Sequence, residues 1–505
     1  MKTAGLDIGT TGCKCTVFGA DGKYIDKAYK DYQIKRQISG HEIDMAALRD
    51  AVISVVAEMA RKYPDIAGLG VTSFGETFVL TDDAGEPLDV AMLYTDPRGA
   101  EECRLLIEKL GEMKIAEITG LRPHEMYGLP KLMWMKKHKP DVYKAAKHAF
   151  QVEDFIVFTL SGVAQVDYSL ATRSMAFDID RLDWSDEMIE AAGVDKFLYP
   201  AVVPTGTPAG KVLPEIAKRT GLSENCVIVS VSHDQIAAAV GAGAFTSDVA
   251  VDGAGTVQCM TPIFDGKPDI AKLYNGYFAA VPYVVPGKFV TYAFSYTGGA
   301  LTQWCSNTIA KKEIDEAKAC GKSVNEFLEE QYAAKTEALG LPHANPTGLL
   351  VLPHFAGAAT PYMDTGSKGA IIGLTTDTTA AEIYMACLEG VCYEMYLIYN
   401  KLKDSGIRYS RFNATGGGAR SAVWMQMKAD MLNVPFTALE TVDAGTVGCA
   451  MLTGIAVGLF KDLAEAASVM VKETNTYYPR AEQHERYMEV FKRYEKVYDA
   501  VRPLV

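Results

Sequence analysis

One loop pattern occurs twice in this chain, and the copies lie almost half its length apart. AGLDIGTTGCKCTVFGADG runs from Ala4 to Gly22, and VAVDGAGTVQCMTPIFDG runs from Val249 to Gly266. Each passes from an apolar strand into a small-residue turn ending in Gly-Thr, then into an alternating strand that closes on a further turn, the pattern of a β-hairpin. Small residues at such a turn let backbone N–H groups converge on an anion, and threonine hydroxyls add donors for phosphate oxygens. The copies are not equivalent: Asp7 offers a carboxylate where the second has Gly253. The first loop can therefore hold a metal, and the second only phosphate. Either loop alone reads equally well as an ordinary glycine-turned hairpin; their repetition points to the two halves of one phosphate clamp.

At 505 residues the chain exceeds a single core and should divide into two domains of about 250 residues each. The loops open the two halves, as an old duplication would leave them, and the boundary is expected near Gly241 to Thr246, giving domains 1–243 and 244–505. A hydrophobic content of 49% with 22% charged residues excludes a disordered or fibrous chain. The net charge of −13 offers no basic patch for nucleic acid or an acidic membrane, so anion binding must come from local loops. The closest cysteine pairs, Cys13 with Cys15 and Cys387 with Cys392, match no zinc spacing and suggest reduced thiols in a cytoplasmic protein. MKTAGLDIG enters a strand at once, without a signal-peptide pattern. The most apolar run, Val227 to Phe245, is interrupted by His233 and Asp234, so no membrane span is expected.

The opening is α/β: strands over residues 2–34, a helix around Met45 to Lys62, and a strand pair around Ile66 to Leu80. From Pro97 to about Gly221 the pattern is mostly helical, with a Pro- and Gly-rich stretch at Val202 to Val212 that suits an insertion carrying substrate contacts. A strand at Val227 to Val231 should lead into a helix beginning near Asp234. The second half should repeat the hairpin, then show a helix after Thr297 to Trp304, a polar excursion over 311–345, and a long helix from about Ala380 to Lys403. A strand ends in ATGGGARS at Ala414 to Ser421, a Gly-rich segment begins at Asp443, and a last helix covers about Ala481 to Val501.

Several residues can carry chemistry. Asp234 can accept the proton of a hydroxyl attacking a nucleotide's terminal phosphate, or it can merely cap its helix. Asp7, beside a phosphate loop, suits magnesium, which takes one or two carboxylates together with phosphates and waters; alternatively it accepts from Gly9 or Thr10 within its turn. Lys14 can reach a phosphate or lie solvated on its strand. Gly416, Gly417 and Gly418 leave a flat surface for a purine before a helix N-terminus, although any tight strand-to-helix turn also wants glycine. Glu76, in SFGETF, either accepts from sugar hydroxyls or is an exposed turn residue. Asp96 and Arg98 suit an ion pair that fixes the chain, and His233 a structural hydrogen bond beside Asp234.

Together these residues resemble the FGGY family of carbohydrate kinases within the actin-like ATPase superfamily, over essentially the whole chain. LDIGTTG is similar to the family's first phosphate motif, GAGT at Gly253 to Thr256 to its second, TGGGARS with MQMKADML to its adenosine motif, and SHDQ at Ser232 to Gln235 to the segment bearing its catalytic aspartate. KLMWMKKH at Lys131 to His138 and the segment Gly369 to Gly390 resemble the two family signatures, with departures at Gly128 and Cys387. The resemblance implies an α/β fold of two ribonuclease H-like domains with an interdomain cleft, and transfer of a phosphoryl group from ATP to a sugar or polyol hydroxyl. It implies Asp234 as base, Asp7 and Asp234 on the Mg²⁺ side, and Thr10, Thr11, Lys14, Gly255 and Thr256 on the phosphates. Gly299, Gly417 and Gly418 would line the nucleotide site, while Gly75, Glu76, Asp234 and Gln235 would contact the substrate. A homodimer is expected by the same analogy. Xylulokinases typically carry Met-His where this chain has Gly75-Glu76. Glycerol kinases carry Arg-Glu there, and the SHD triplet is similar to kinases of rhamnulose and fuculose. A ketopentose such as xylulose is the expected substrate; glycerol, gluconate, a deoxyketose, or a non-catalytic sugar sensor are the alternatives.

Overall fold

The structure, a computed structural model, describes residues 1–37, 40–342, 345–441 and 443–505. Each repeated loop is the tip of a hairpin at the centre of a sheet. In the first half β1 (Lys2–Ile8) and β2 (Gly12–Gly19) pair antiparallel, with Asp7 opposite Lys14. β3 (Tyr24–Asp31) adds antiparallel to β2. The chain then crosses through helix α1 (Met45–Lys62), capped by the Asp44 carboxylate and burying Leu48, Val52, Val55, Val56 and Met59. It returns as β4 (Ile66–Ser73), parallel to β1. A short helix, α2 (Tyr168–Thr172), comes before β5 (Thr207–Lys211), an antiparallel edge, and β6 (Val227–His233), parallel to β4. The order across the sheet is β5-β6-β4-β1-β2-β3.

Helix α3 (Asp234–Gly241) carries the chain into the second half. There β7 (Val249–Ala254) and β8 (Gln258–Asp265) form the second hairpin. Helices α4 (Gly299–Thr308) and α5 (Ala380–Asp404) intervene before β9 (Arg411–Thr415), which lies parallel to β7. Helix α6 (Ala422–Leu432) then leads to β10 (Phe436–Leu439), parallel to β9. Helix α7 (Ala444–Ala456) follows, then an antiparallel edge, β11 (Glu473–Tyr477), and the terminal helices α8 (Ala481–Tyr494) and α9 (Val497–Val501). In spatial order and strand direction the run β8-β7-β9-β10-β11 matches β2-β1-β4-β6-β5, although β5 precedes β6 in the chain and β11 follows β10, so the likeness of the loops extends across both sheets.

The halves meet through helices rather than strands. α3 and α7 cross with their backbones in contact: a Cβ on Gly241 would strike the Ala444 carbonyl, and one on Gly448 the Ala237 carbonyl. α7 also lies on the first sheet, where a Cβ on Gly5 would come within 2.6 Å of the Thr446 oxygen. Val229, Val231, Ile236 and Val240 from one half therefore share a core with Val249, Val251, Val447 and Met451 from the other.

Several expectations need correction. Val202 to Val212 is no insertion: Ala201–Val203 pairs with Gln165–Asp167, and the following segment is the edge strand β5, whose register shift between Pro208 and Gly210 accommodates the proline. The strands around Ile66 to Leu80 do not pair, because Phe78–Thr81 joins a separate five-stranded sheet. The polar excursion contains helices Lys311–Ala319 and Val324–Ala338, the second opened by a Ser323–Glu326 capping box and burying Leu328 and Tyr332; residues 343 and 344 lie outside the described residues. The last helix is divided between α8 and α9.

Candidate active site

The first loop is braced from both sides. Gly9 N–H donates to the Gly12 carbonyl at 2.9 Å, Tyr32 N–H donates to the Thr11 carbonyl at 3.2 Å, and the Tyr32 hydroxyl donates to the Gly9 carbonyl. Since the Gly9 N–H is used in this way, Asp7 is not a turn acceptor for it. Lys14, facing Asp7 across the hairpin, places its ammonium 3.0 Å from Asp7 Oδ2 and 2.9 Å from Asp443 Oδ1 beside α7. Burial raises the Asp7 pKa against the pull of Lys14. Burial also works against the Lys14 charge, but the two carboxylates outweigh it and hold the ammonium above the ordinary lysine value. Lys14 is thus ion-paired with both Asp7 and Asp443 and bridges the first loop to α7.

The second loop is fixed through its carbonyls. Gly299 N–H donates to Gly255 O at 2.9 Å, and Gly298 and Ala300 N–H donate to Thr256 O at 2.9 and 3.1 Å. The N-terminus of α4 therefore shapes this loop. Gly416 and Gly418 pack on Ala254 at the end of β7, where a Cβ on Gly418 would come within 2.8 Å of the Ala254 Cβ. A Cβ on Gly417 would meet nothing within 4 Å, so its face is open. The short 3₁₀ turn Gly417–Arg420 ends at Ser421, whose hydroxyl caps α6. The glycine turn and the second loop form one continuous small-residue surface.

Between the loops a cavity of about 260 Å³ is lined by Thr10, Gly75, Glu76, Asp234 and Gln235 from the first half and bordered by Val257, next to the second loop. Asp234 is the first residue of α3. The residue at the capping position is His233, and it makes no side-chain cap. The Asp234 side chain, 30% exposed, thus faces the cavity rather than the helix end. Burial by the surrounding protein, together with the negative charges of Asp7 and Glu76, pushes its carboxyl up to about 7, against the hydrogen bonds from Gln235. His233 N–H donates to Ser169 Oγ at 2.9 Å, its Nε2 lies 3.4 Å from Asp234 Oδ1, and burial lowers its pKa to about 4, keeping the ring neutral. Glu76, at φ 62° and only 6% exposed, is far from an exposed turn residue. Arg98 binds Asp96 at 2.6 Å and Glu42 at 2.9 Å, the chain-fixing pair expected of it.

Among the cavity residues that escape a reading of the sequence are Tyr127, Arg173 and Tyr292. Arg173 pairs with Glu76 while its guanidinium lies over the Tyr127 ring. The one available signal was a lone arginine inside the otherwise uncharged run YSLATRSMAF. Among the described residues no three His, Cys, Asp or Glu side chains form a metal cage, and no helix is long and apolar enough to cross a membrane.

The family model for the N-terminal domain of FGGY carbohydrate kinases matches residues 3–241, and that for the C-terminal domain matches residues 268–457. The chain is 26% identical to a xylulose kinase of Bacillus subtilis over 505 residues, covering 99% of this chain and 97% of that one. It is 29% identical to a glycerol kinase of Bordetella parapertussis over 479 residues, covering 91% and 89%. A ligand-bound xylulose kinase from Lactobacillus acidophilus superposes with a TM-score of 0.87 at 21% identity, covering 99% of this chain and 98% of that one, so the two share one fold over nearly their whole length. With family models spanning most of its length, the chain belongs to the FGGY family of carbohydrate kinases.

Proposed function

We propose that this carbohydrate kinase transfers the γ-phosphoryl group of ATP to a hydroxyl of a ketose, a ketopentose such as xylulose, with Asp234 as the general base. The observation that carries the reading is the place of Asp234: its carboxyl, poised near neutrality, lies in the cavity between the Asp7 loop and Glu76. The substrate hydroxyl gives its proton to Asp234 as its oxygen bonds to the γ-phosphorus, and the bond to the β–γ bridging oxygen breaks to leave ADP. Thr10 and Thr11 on one side and Gly255 and Thr256 on the other hold the phosphates, while Gly299, Gly417 and Gly418 line the nucleotide. Lys14 acts through Asp7. Gly75, Glu76, Asp234 and Gln235 contact the sugar.

Asp234 on the cavity wall and Asp7, near enough for its charge to raise the Asp234 pKa, form an oxygen donor pair that fits Mg²⁺ completed by phosphates and water. Asp7 and Asp234 would hold it, and the ion would neutralise charge on the transferring phosphoryl group. In this reading residues 1–243 bind the sugar, residues 244–505 bind the nucleotide, and the enzyme works as a cytoplasmic homodimer. The xylulose kinases similar over nearly the whole chain favour a ketopentose. The glycerol kinases keep glycerol in the comparison. A coupled ADP-release assay with xylulose, rhamnulose, fuculose, glycerol and gluconate tests the choice. Absence of stimulation by any ketose refutes it.

A further inference from the structure

The Glu76 carboxylate is gripped from one side. Arg173, immediately after α2, directs Nε and Nη2 onto the same oxygen, Oε1. The two side chains are 9% and 7% exposed. The guanidinium is stacked in turn: its carbon lies 5.1 Å from the Tyr127 ring centroid and 5.8 Å from that of Tyr292. Gly75 leaves the space this requires, because a Cβ there would come within 3.1 Å of both Arg173 Cγ and His233 Cδ2. Glu76 holds a left-handed backbone, φ 62°, unusual for a residue with a side chain. Backbone, glycine and arginine together fix the carboxylate in one orientation on the cavity wall.

The pair also sets the charge of this wall. Arg173 is the one lysine or arginine among the described residues lining the cavity, and its charge is balanced by Glu76. Lys14, nearby on the phosphate side, is engaged by Asp7 and Asp443. A substrate carboxylate entering here would find no unpaired lysine or arginine among the described lining residues and would face Asp234 as well. Hydroxyl groups would instead find an oriented acceptor in the Glu76 carboxylate and a side-chain amide at Gln235. The buried Tyr292 hydroxyl, which makes no hydrogen bond, stands on the same wall.

We infer that Arg173 is a positioning residue that presents Glu76 as a fixed acceptor for sugar hydroxyls, and that this neutral pair selects uncharged polyhydroxyl substrates over sugar acids. The inference rests on the carbohydrate-kinase reading of the cavity and narrows its substrate class. Arginine matters for its fork: two donors on one oxygen define a direction, which a lysine ammonium does not.

The test compares Arg173→Met, Arg173→Lys and Glu76→Gln with the parent enzyme, in steady-state kinetics and in calorimetric binding of xylulose or gluconate without ATP. Losing the charge-assisted pair should raise the KM for the preferred neutral sugar by about tenfold or more in Arg173→Met. The KM for ATP should stay within about twofold, with Arg173→Lys lying between the parent and the methionine variant. Glu76→Gln, which leaves the guanidinium unbalanced, should improve gluconate binding relative to xylulose. The inference is overturned if Arg173→Met leaves the sugar KM within about twofold, if the ATP KM rises in parallel, or if the parent enzyme binds gluconate as tightly as xylulose. Should Arg173→Met fail to fold, Arg173→Lys and Glu76→Gln decide the matter alone. If the parent binds neutral sugars but phosphorylates none, the kinase reading fails while the charge preference is still read from binding.

Discussion

Replacing Lys428 by methionine perturbs the joint between the glycine turn at residues 416–418 and the second repeated loop. Lys428, on α6, has no exposed surface; its ammonium lies 2.7 Å from Asp252 Oδ2 and 3.1 Å from Gln258 Oε1, and 4.5 Å from the Trp424 ring centroid. Gln258 Nε2 closes the triangle by donating to the other Asp252 oxygen. Methionine keeps the apolar stem but leaves a fully buried carboxylate with one neutral donor. Breaking such a pair from one side costs about 3–5 kcal/mol. Spread over a half of this size, that loss lowers the melting temperature by on the order of 10 °C. Lys428→Met/Asp252→Leu, which removes both charges, should recover at least half of the loss, because a buried pair replaced by apolar groups is often close to neutral. Asp252 adjoins Gly253 at the end of β7, so the single variant should also raise the KM for ATP. Calorimetric melting and urea titration of the four members of the cycle measure the effect. A single-variant loss below about 1 kcal/mol, or a double variant as unstable as the two singles summed, refutes the reasoning.

Asp234→Asn should lower kcat by about 10²- to 10⁴-fold, the usual worth of a general base; a fall of less than tenfold removes it from that role. The same variant should melt higher than the parent at pH 8 and equally at pH 4. The folded pKa of Asp234 is raised to about 7, so its ionisation opposes folding only once the pH exceeds the unfolded carboxyl value. Because the base must be unprotonated, kcat/KM should rise with pH up to about 7 and then level. Asp7→Asn removes a charge that raises this pKa and should move the acid limb downward; an upward or absent shift contradicts the assignment. Gly448→Ala drives a methyl group into the Ala237 carbonyl on α3 and should destabilise by about 1–3 kcal/mol, measured by calorimetric melting; an unchanged melting temperature would show that α3 and α7 can separate freely.

What the sequence disclosed was local. The hairpins were legible because strand alternation and small-residue turns span fewer than twenty consecutive residues in each copy, and α1 because Asp44 and its apolar spacing mark its bounds. Asp234 could be placed at a helix start, but whether its side chain capped that helix or faced a cavity depended on His233 occupying the capping position. Arg173 was hidden because its partner is 97 residues away in sequence. The second partner of Lys14, Asp443, was hidden as well, because α7 brings it in from the far end of the chain. The edge strand β5 was missed because its proline and glycines signal a loop, whereas an edge with a register shift tolerates them.

The seat of α7 bears on how this protein can be taken apart. A helix encoded late in the chain roofs a sheet encoded at its beginning, with Thr453 covering Gly68 and Thr446 covering Gly5. A gene cut between codons 243 and 244 would yield a first fragment with a bare apolar sheet face and a second fragment presenting its missing lid. Expressed alone, the first should aggregate; expressed together, the two should assemble into an active complex without a peptide bond between them. The two halves share a chain, and they also share a helix.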